Sequence, residues 1–278
     1  MDVSSLSREL SAPMEKLFER RIKEKIMTTP ILQAKGICKY FGPITALEDV
    51  DLQVSAGEVL GVIGDNGAGK STLMKAFSGL GPASKGEIWF QGKPVKFHSP
   101  REARNLGIEM VYQDLALAGN LPIAQNIYLG REPTKRFGFI NRIDHKCCLE
   151  MSQEHLDTLK IHVKNAGQKV EDLSGGQRQA VAVARATAFD ANLVIMDEPT
   201  AALAVKEVSK VLELIKRLKS LNVAVIIISH RMDDIFAVCD RVMALFHGKN
   251  FAEAYINETS HDELIGWVMG ASQHRETV

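Results

Sequence analysis

The chain has 278 residues, 45% hydrophobic and 24% charged, the balance of a globular protein with a substantial core rather than of a disordered one. Lysine plus arginine equal aspartate plus glutamate at 34 each, so no global positive field draws a polyanion, and nucleic acid is not an expected partner. The most apolar run, VAVIII at 223–228, is far shorter than the roughly 20 residues of a membrane-crossing helix.

The N-terminus lacks a secretory pattern, and Cys38, Cys147, Cys148 and Cys239 show neither zinc-ligand spacing nor disulfide density, so a reducing compartment is expected. Residues 1–29 are charged and helix-prone, with Met14, Leu17, Phe18, Ile22 and Ile26 at helical spacing behind a cap at Ser11. With Arg20, Arg21, Lys23 and Lys25 such a helix could touch a membrane surface or a partner; a solvated helix, or an extension upstream of a native start at Met27, stays equally open.

From Ile31 short apolar runs between turns read as strands: ILQAKGIC, ALEDVDLQV and EVLGVI, the last running into a glycine-rich loop. LMKAFSGL reads as a helix, EIWF as a strand after the Lys85-Gly86 turn, and IEMVY at 108–112 as a strand ending at Gln113. Between Asp114 and Asp172 the pattern is mostly helical, punctuated by Pro122 and Pro133, and suggests an inserted helical subdomain over about 98–178. There follow a helix at 176–188, the strand LVIMD, a helix at 205–220, the strand VAVIIIS, a helix at 231–238 and the run RVMALF. This alternation predicts an α/β architecture, because parallel strands need crossover helices, with LVIM and VAVIII in the buried centre of the sheet. No internal repeat is evident, so residues 30–270 read as one domain followed by a short tail at 271–278.

Gly64-Asp65-Asn66-Gly67-Ala68-Gly69-Lys70-Ser71-Thr72 matches G-x-x-x-x-G-K-[ST] between a strand and a helix, the context that separates it from an ordinary glycine-rich turn. Glycines let successive backbone N–H groups converge on phosphate oxygens at a helix N-terminus. Lys70 is then expected on the β- and γ-phosphates, Ser71 on Mg²⁺, and Thr72 on the α-phosphate of ATP. LVIMDE ends in two carboxylates, common at a strand end by themselves; beside a phosphate loop, Asp197 is expected to hold the Mg²⁺ shell and Glu198 to polarise the attacking water.

Leu173-Ser174-Gly175-Gly176-Gln177 opens a helix and, alone, needs only Ser174 as its cap. Together with the phosphate loop it resembles the signature of ABC ATPases, a resemblance running from about Ile31 to about Gly270. Gln113, His230 and Phe41 stand at further matching positions, although singly they pass for a surface amide, a packing histidine and a core ring. The resemblance implies a P-loop NTPase core with a parallel sheet, an antiparallel β subdomain and an inserted helical subdomain. It further implies that two copies, most simply a homodimer, pair head to tail around two ATP molecules. Each ATP then lies between one copy's phosphate loop and the other's Ser174, Gly175, Gly176 and Gln177. Phe41 is expected to stack on adenine, Gln113 to sense Mg²⁺ and the water, and His230 to contact the γ-phosphate. One departure stands out: after EPTAAL the family commonly has aspartate, and here the residue is Ala204.

The segments HSPREARNLGIEMVYQDLALAGNLPIAQNIYLGRE and LSGGQRQAVAVARA look like bacterial monosaccharide importers of the ribose, xylose and fructose kind, nearest the single-cassette fructose type. That likeness implies a peripheral subunit at the cytoplasmic face of the membrane, working with permease subunits and, indirectly, an extracytoplasmic sugar-binding protein. A soluble ABC ATPase acting on nucleic acid or ribosomes is the competing class. The chain has no long coiled-coil insertion, no second cassette with a basic linker and no net positive charge to favour it. A nucleotide-binding module without turnover is disfavoured by the joint presence of Lys70, Glu198 and His230.

Overall fold

β1 (Pro30–Phe41) and β2 (Ile44–Ser55) pair antiparallel, and β4 (Lys85–Phe90) and β5 (Lys93–Val95) complete a four-stranded sheet of order β2-β1-β4-β5 in the computed structural model. The structure describes residues 30–137 and 139–271, so the helix expected within 1–29 and the tail beyond Ala271 lie outside the described residues. A second sheet of order β12-β11-β3-β10-β9-β6 is built on β3 (Val59–Ile63), β6 (Ile108–Val111), β9 (Leu193–Asp197), β10 (Ala224–Ile228), β11 (Arg241–Phe246) and β12 (Lys249–Tyr255). All its strands run parallel except β12, which closes the edge antiparallel to β11.

The period-two side-chain alternation of strands divides the core. Val59, Val194, Met196, Val225 and Ile227 face one apolar cluster with the helices. Leu60, Val62, Leu193, Ile195 and Ile226 face the other, shared with the four-stranded sheet. The expectation that LVIM and VAVIII lie centrally is met, since β9 and β10 are interior strands and every residue of β10 is buried.

Among the described residues the α-helices are α1 (Lys70–Phe77), α2 (Pro100–Asn105), α3 (Ile123–Tyr128), α4 (His145–Thr158), α5 (Gly175–Thr187), α6 (Val205–Ser220), α7 (Met232–Val238) and α8 (His261–Val268). α6 buries Val208, Val211, Leu214, Ile215 and Leu218, a stripe at helical spacing that seats it against α5 and β10.

Three local readings need correction. The segment between 114 and 172 is not mostly helical, because β7 (Thr134–Phe137) and β8 (Ile140–Ile143) form a hairpin in it. TKRF and INRI carry β-branched and aromatic residues around a glycine, and Pro133 and Asp144 bound them; Asp144 N–H donates to the Pro133 carbonyl at 2.7 Å. The helix read as LMKAFSGL starts earlier, at Lys70, and stops at Phe77, with Gly69 just before it in the left-handed region at φ 100°. α2 is a further helix, although Ser99-Pro100-Arg101-Glu102 carries a start signal: Ser99 accepts from Glu102 N–H at 3.4 Å while Glu102 accepts from His98 N–H at 2.9 Å.

Candidate functional site

The parallel strands deliver their carboxyl ends to one edge. Ile228 pairs with Val62 and with Asp197, and Val111 pairs with Met196, so the segments after β3, β6, β9 and β10 emerge side by side. They line a cleft of about 640 Å³ that gathers the whole loop Gly64–Thr72 with Gln113, Asp197, Glu198 and His230.

The loop's backbone demands glycine where it turns tightest. Gly64 has φ 146°, and a Cβ there would stand 2.3 Å from the Leu245 carbonyl oxygen; Gly69 has φ 100°, and a Cβ would meet Leu47 Cδ2 at 2.7 Å. The hairpin after β11 braces the loop, with Gly248 N–H donating to Ala68 O at 3.1 Å and Glu48 N–H to Gly248 O at 2.8 Å. Lys70 Nζ folds back to donate to Gly64 O at 2.7 Å and Asp65 O at 2.9 Å. Partial burial pushes its pKa down, against the pull of Glu198, Asp197 and Asp65.

Burial raises the Asp197 pKa, and the neighbouring Glu198 adds to the rise, whereas the Lys70 charge and a hydrogen bond from Ser71 oppose it. Glu198 itself sits at φ 52°, uncommon for a residue with a side chain, and donates its N–H to Ile228 O at 2.9 Å. His230 Nδ1 lies 2.8 Å from Glu198 Oε2, yet that buried oxygen accepts no aligned hydrogen bond. The contact is therefore one of proximity without hydrogen-bond alignment, and it leaves a lone pair for another donor.

The other expected site residues lie elsewhere on this chain. Phe41 ends β1 outside the cleft, 54% exposed, with Lys39 Nζ 5.2 Å from its ring centroid. Ser174, Gly176 and Gln177 line a separate groove of about 390 Å³ beside α6. There Ser174 Oγ accepts from Gln177 N–H at 3.3 Å and Gln177 Oε1 from Ser174 N–H at 3.0 Å, a reciprocal cap that starts α5.

Sequence reading missed a buried brace beneath the cleft. Thr200 Oγ1 donates to Asp234 Oδ2, and Arg231 Nε lies 3.3 Å from the same oxygen, tying the segment after Glu198 to the helix after His230. Thr200 and Asp234 are almost wholly buried. Nothing in the sequence distinguished Asp234 from the adjacent Asp233, because Thr200, which selects it, lies 34 residues away. Asp234→Ala should destabilise the fold by about 2 kcal/mol, the cost of stranding a buried hydroxyl and losing its charged partner. An unchanged midpoint in urea unfolding would count against the brace.

Residues 47–201 match a family model described as ABC transporter. The xylose/arabinose import ATP-binding protein of Sulfolobus acidocaldarius is 47% identical over 234 residues, covering 84% of this chain and 92% of that protein. The fructose import ATP-binding protein of Rhizobium meliloti is 44% identical over 248 residues, covering 88% of this chain and 95% of that protein. Among solved structures, a dimeric ATP-binding cassette in a post-hydrolysis state, bound to ADP and phosphate, superposes with a TM-score of 0.66 at 26% identity, over 81% of this chain and 98% of that one. A phosphate loop, two carboxylates and a histidine at one sheet edge, in a chain related over most of its length to these proteins, lead to one assignment: the chain belongs to the ABC transporter ATP-binding family.

Proposed function

We propose that this chain is the ATP-binding and ATP-hydrolysing subunit of an importer that takes up a small sugar, most simply a monosaccharide. The observation that carries this reading is the convergence of the phosphate loop, Gln113, Asp197, Glu198 and His230 in one cleft of a chain 47% and 44% identical to two sugar-import ATP-binding proteins.

In this reading the loop N–H groups and Lys70 hold the phosphates, Lys70 exchanging two backbone carbonyls for phosphate oxygens. Thr72 bonds the α-phosphate, and Phe41 offers an exposed ring to adenine. Ser71, Asp197 and Gln113 form a hard oxygen donor set suited to Mg²⁺, which usually takes few protein ligands and keeps phosphate and water for the rest. When bound, the ion neutralises charge on the phosphate oxygens. Glu198 takes a proton from the attacking water as its oxygen bonds to the γ-phosphorus; the bond to the bridging oxygen breaks and ADP leaves with the electron pair. His230 steadies the γ-phosphate, and the unsatisfied Glu198 Oε2 is the acceptor such a water needs.

Ser174, Gly175, Gly176 and Gln177 reach a nucleotide only from a second copy, since Ser174, Gly176 and Gln177 line a groove separate from their own phosphate loop. ATP thus closes a dimer, hydrolysis reopens it, and the movement is passed to permease subunits. Among the described residues no helix is long and apolar enough to cross a membrane, which fits a subunit docked peripherally at the cytoplasmic face. Sugar itself meets the permease and an extracytoplasmic binding protein.

The test is ATPase activity of the chain co-purified with its permease and binding protein, reconstituted in liposomes, against a panel of pentoses and hexoses. Stimulation by one sugar is the expected result. Stimulation by RNA or DNA and by no sugar would overturn the reading in favour of a soluble nucleic-acid factor.

A further inference from the structure

The N-terminus of α5 already carries an anion, and it belongs to the chain itself. Glu207, in the first turn of α6, lies across the two glycines that open α5. A Cβ on Gly176 would stand 2.8 Å from Glu207 Cβ and 3.2 Å from its Cγ, and a Cβ on Gly175 would stand 3.4 Å from its Oε2. Glycine at these positions is what lets the carboxylate come down onto the helix end. The same Oε2 accepts from Ala204 N–H at 3.4 Å. The Ser174 hydroxyl and the Gly176 N–H at the start of α5 favour the charged form and draw the Glu207 carboxyl below its ordinary range.

Ala204 occupies the cap position of α6 without a side-chain cap hydrogen bond, and its N–H is met by the Glu207 carboxylate reaching back from the first turn. One carboxylate thereby ties the start of α6 to the start of α5. A helix N-terminus favours an anion, but a phosphate brought to the same donors meets the like charge of the resident carboxylate.

We propose that Glu207 is a further residue of the composite nucleotide site: its carboxylate covers the α5 N-terminus at Gly175 and Gly176 in the absence of nucleotide and yields that helix end to the phosphate of the ATP on the second copy as the dimer closes. This rests on the reading that each signature completes its partner's site. Glu207 is a positioning residue that keeps the α5 end preformed and sets a threshold for closure. It takes no part in bond making or breaking.

The experiment compares ATP-driven dimerisation of Glu198→Gln, which holds ATP unhydrolysed, with that of Glu198→Gln/Glu207→Gln by sedimentation velocity over a range of protein concentrations. The Glu207→Gln change keeps the shape and the acceptor for Ala204 while removing the charge. The double variant should dimerise at a protein concentration about fivefold lower. The nucleotide-free Glu207→Gln protein should melt about 2 °C lower than the parent. A merely structural strut would weaken both folding and dimerisation. An unchanged or higher concentration requirement in the double variant overturns the proposal. If Glu198→Gln itself forms no dimer with ATP, the head-to-tail reading fails and takes the proposal with it, a result distinguishable because the reference then shows no association.

Discussion

Glu198→Gln should lower phosphate release by about three orders of magnitude while ATP binding is kept, the loss expected when a positioned general base is removed. The substitution preserves size and leaves an amide beside His230, which approaches Oε2 at 2.8 Å. It also removes the carboxylate that helps raise the Asp197 pKa, so Asp197 ionises more readily and the phosphate site loses one like charge near the incoming nucleotide. The variant should therefore bind ATP at least as tightly as the parent and accumulate as an ATP-bound dimer, read by size exclusion alongside phosphate release. Turnover within tenfold of the parent would remove Glu198 from the role of base.

Lys70→Ala should weaken ATP binding by about a hundredfold, equivalent to roughly 3 kcal/mol, and abolish detectable turnover. The ammonium is held at the centre of the loop by two carbonyls at 2.7 and 2.9 Å and surrounded by Asp65, Asp197 and Glu198, so it is the positive charge that offsets three carboxylates when polyphosphate enters. Its removal strands the Gly64 and Asp65 carbonyls, and a stability loss of about 1 kcal/mol should accompany the binding defect. Lys70→Arg should restore little, because a planar fork cannot enter a cradle shaped for a compact point charge. Titration with a fluorescent ATP analogue reads the effect; binding within threefold of the parent would show that the loop backbone alone carries the phosphates.

Much of the site was legible because its parts are local. Gly64 to Thr72 are consecutive, the glycine requirement is a matter of backbone sterics, and an apolar strand before the loop and a helix after it are short-range patterns. The same holds for Asp197 and Glu198 at the end of LVIM and for the interior positions of β9 and β10, whose continuous burial follows from continuous hydrophobicity. The hairpin β7–β8 escaped because runs as short as TKRF and INRI are decided by pairing rather than by propensity. α8 escaped for a related reason: Leu264 and Trp267 are fully buried, and the helix that carries them packs on β11.

By itself the sequence determined the order of strands and helices through most of the chain, the phosphate loop and the residues that could act in it, since each depends on neighbours a few positions away. The tertiary structure decided how those residues are apportioned. It brought Gln113, Asp197, Glu198 and His230 to the loop through parallel pairing, left Phe41 exposed outside the cleft, and put Ser174 and Gly176 in a different groove under Glu207. It also buried Asp234 against Thr200, 34 residues away in sequence. Contacts of that separation are set by sheet register and helix packing, and the hydrogen bonds they close are invisible to any window of local pattern.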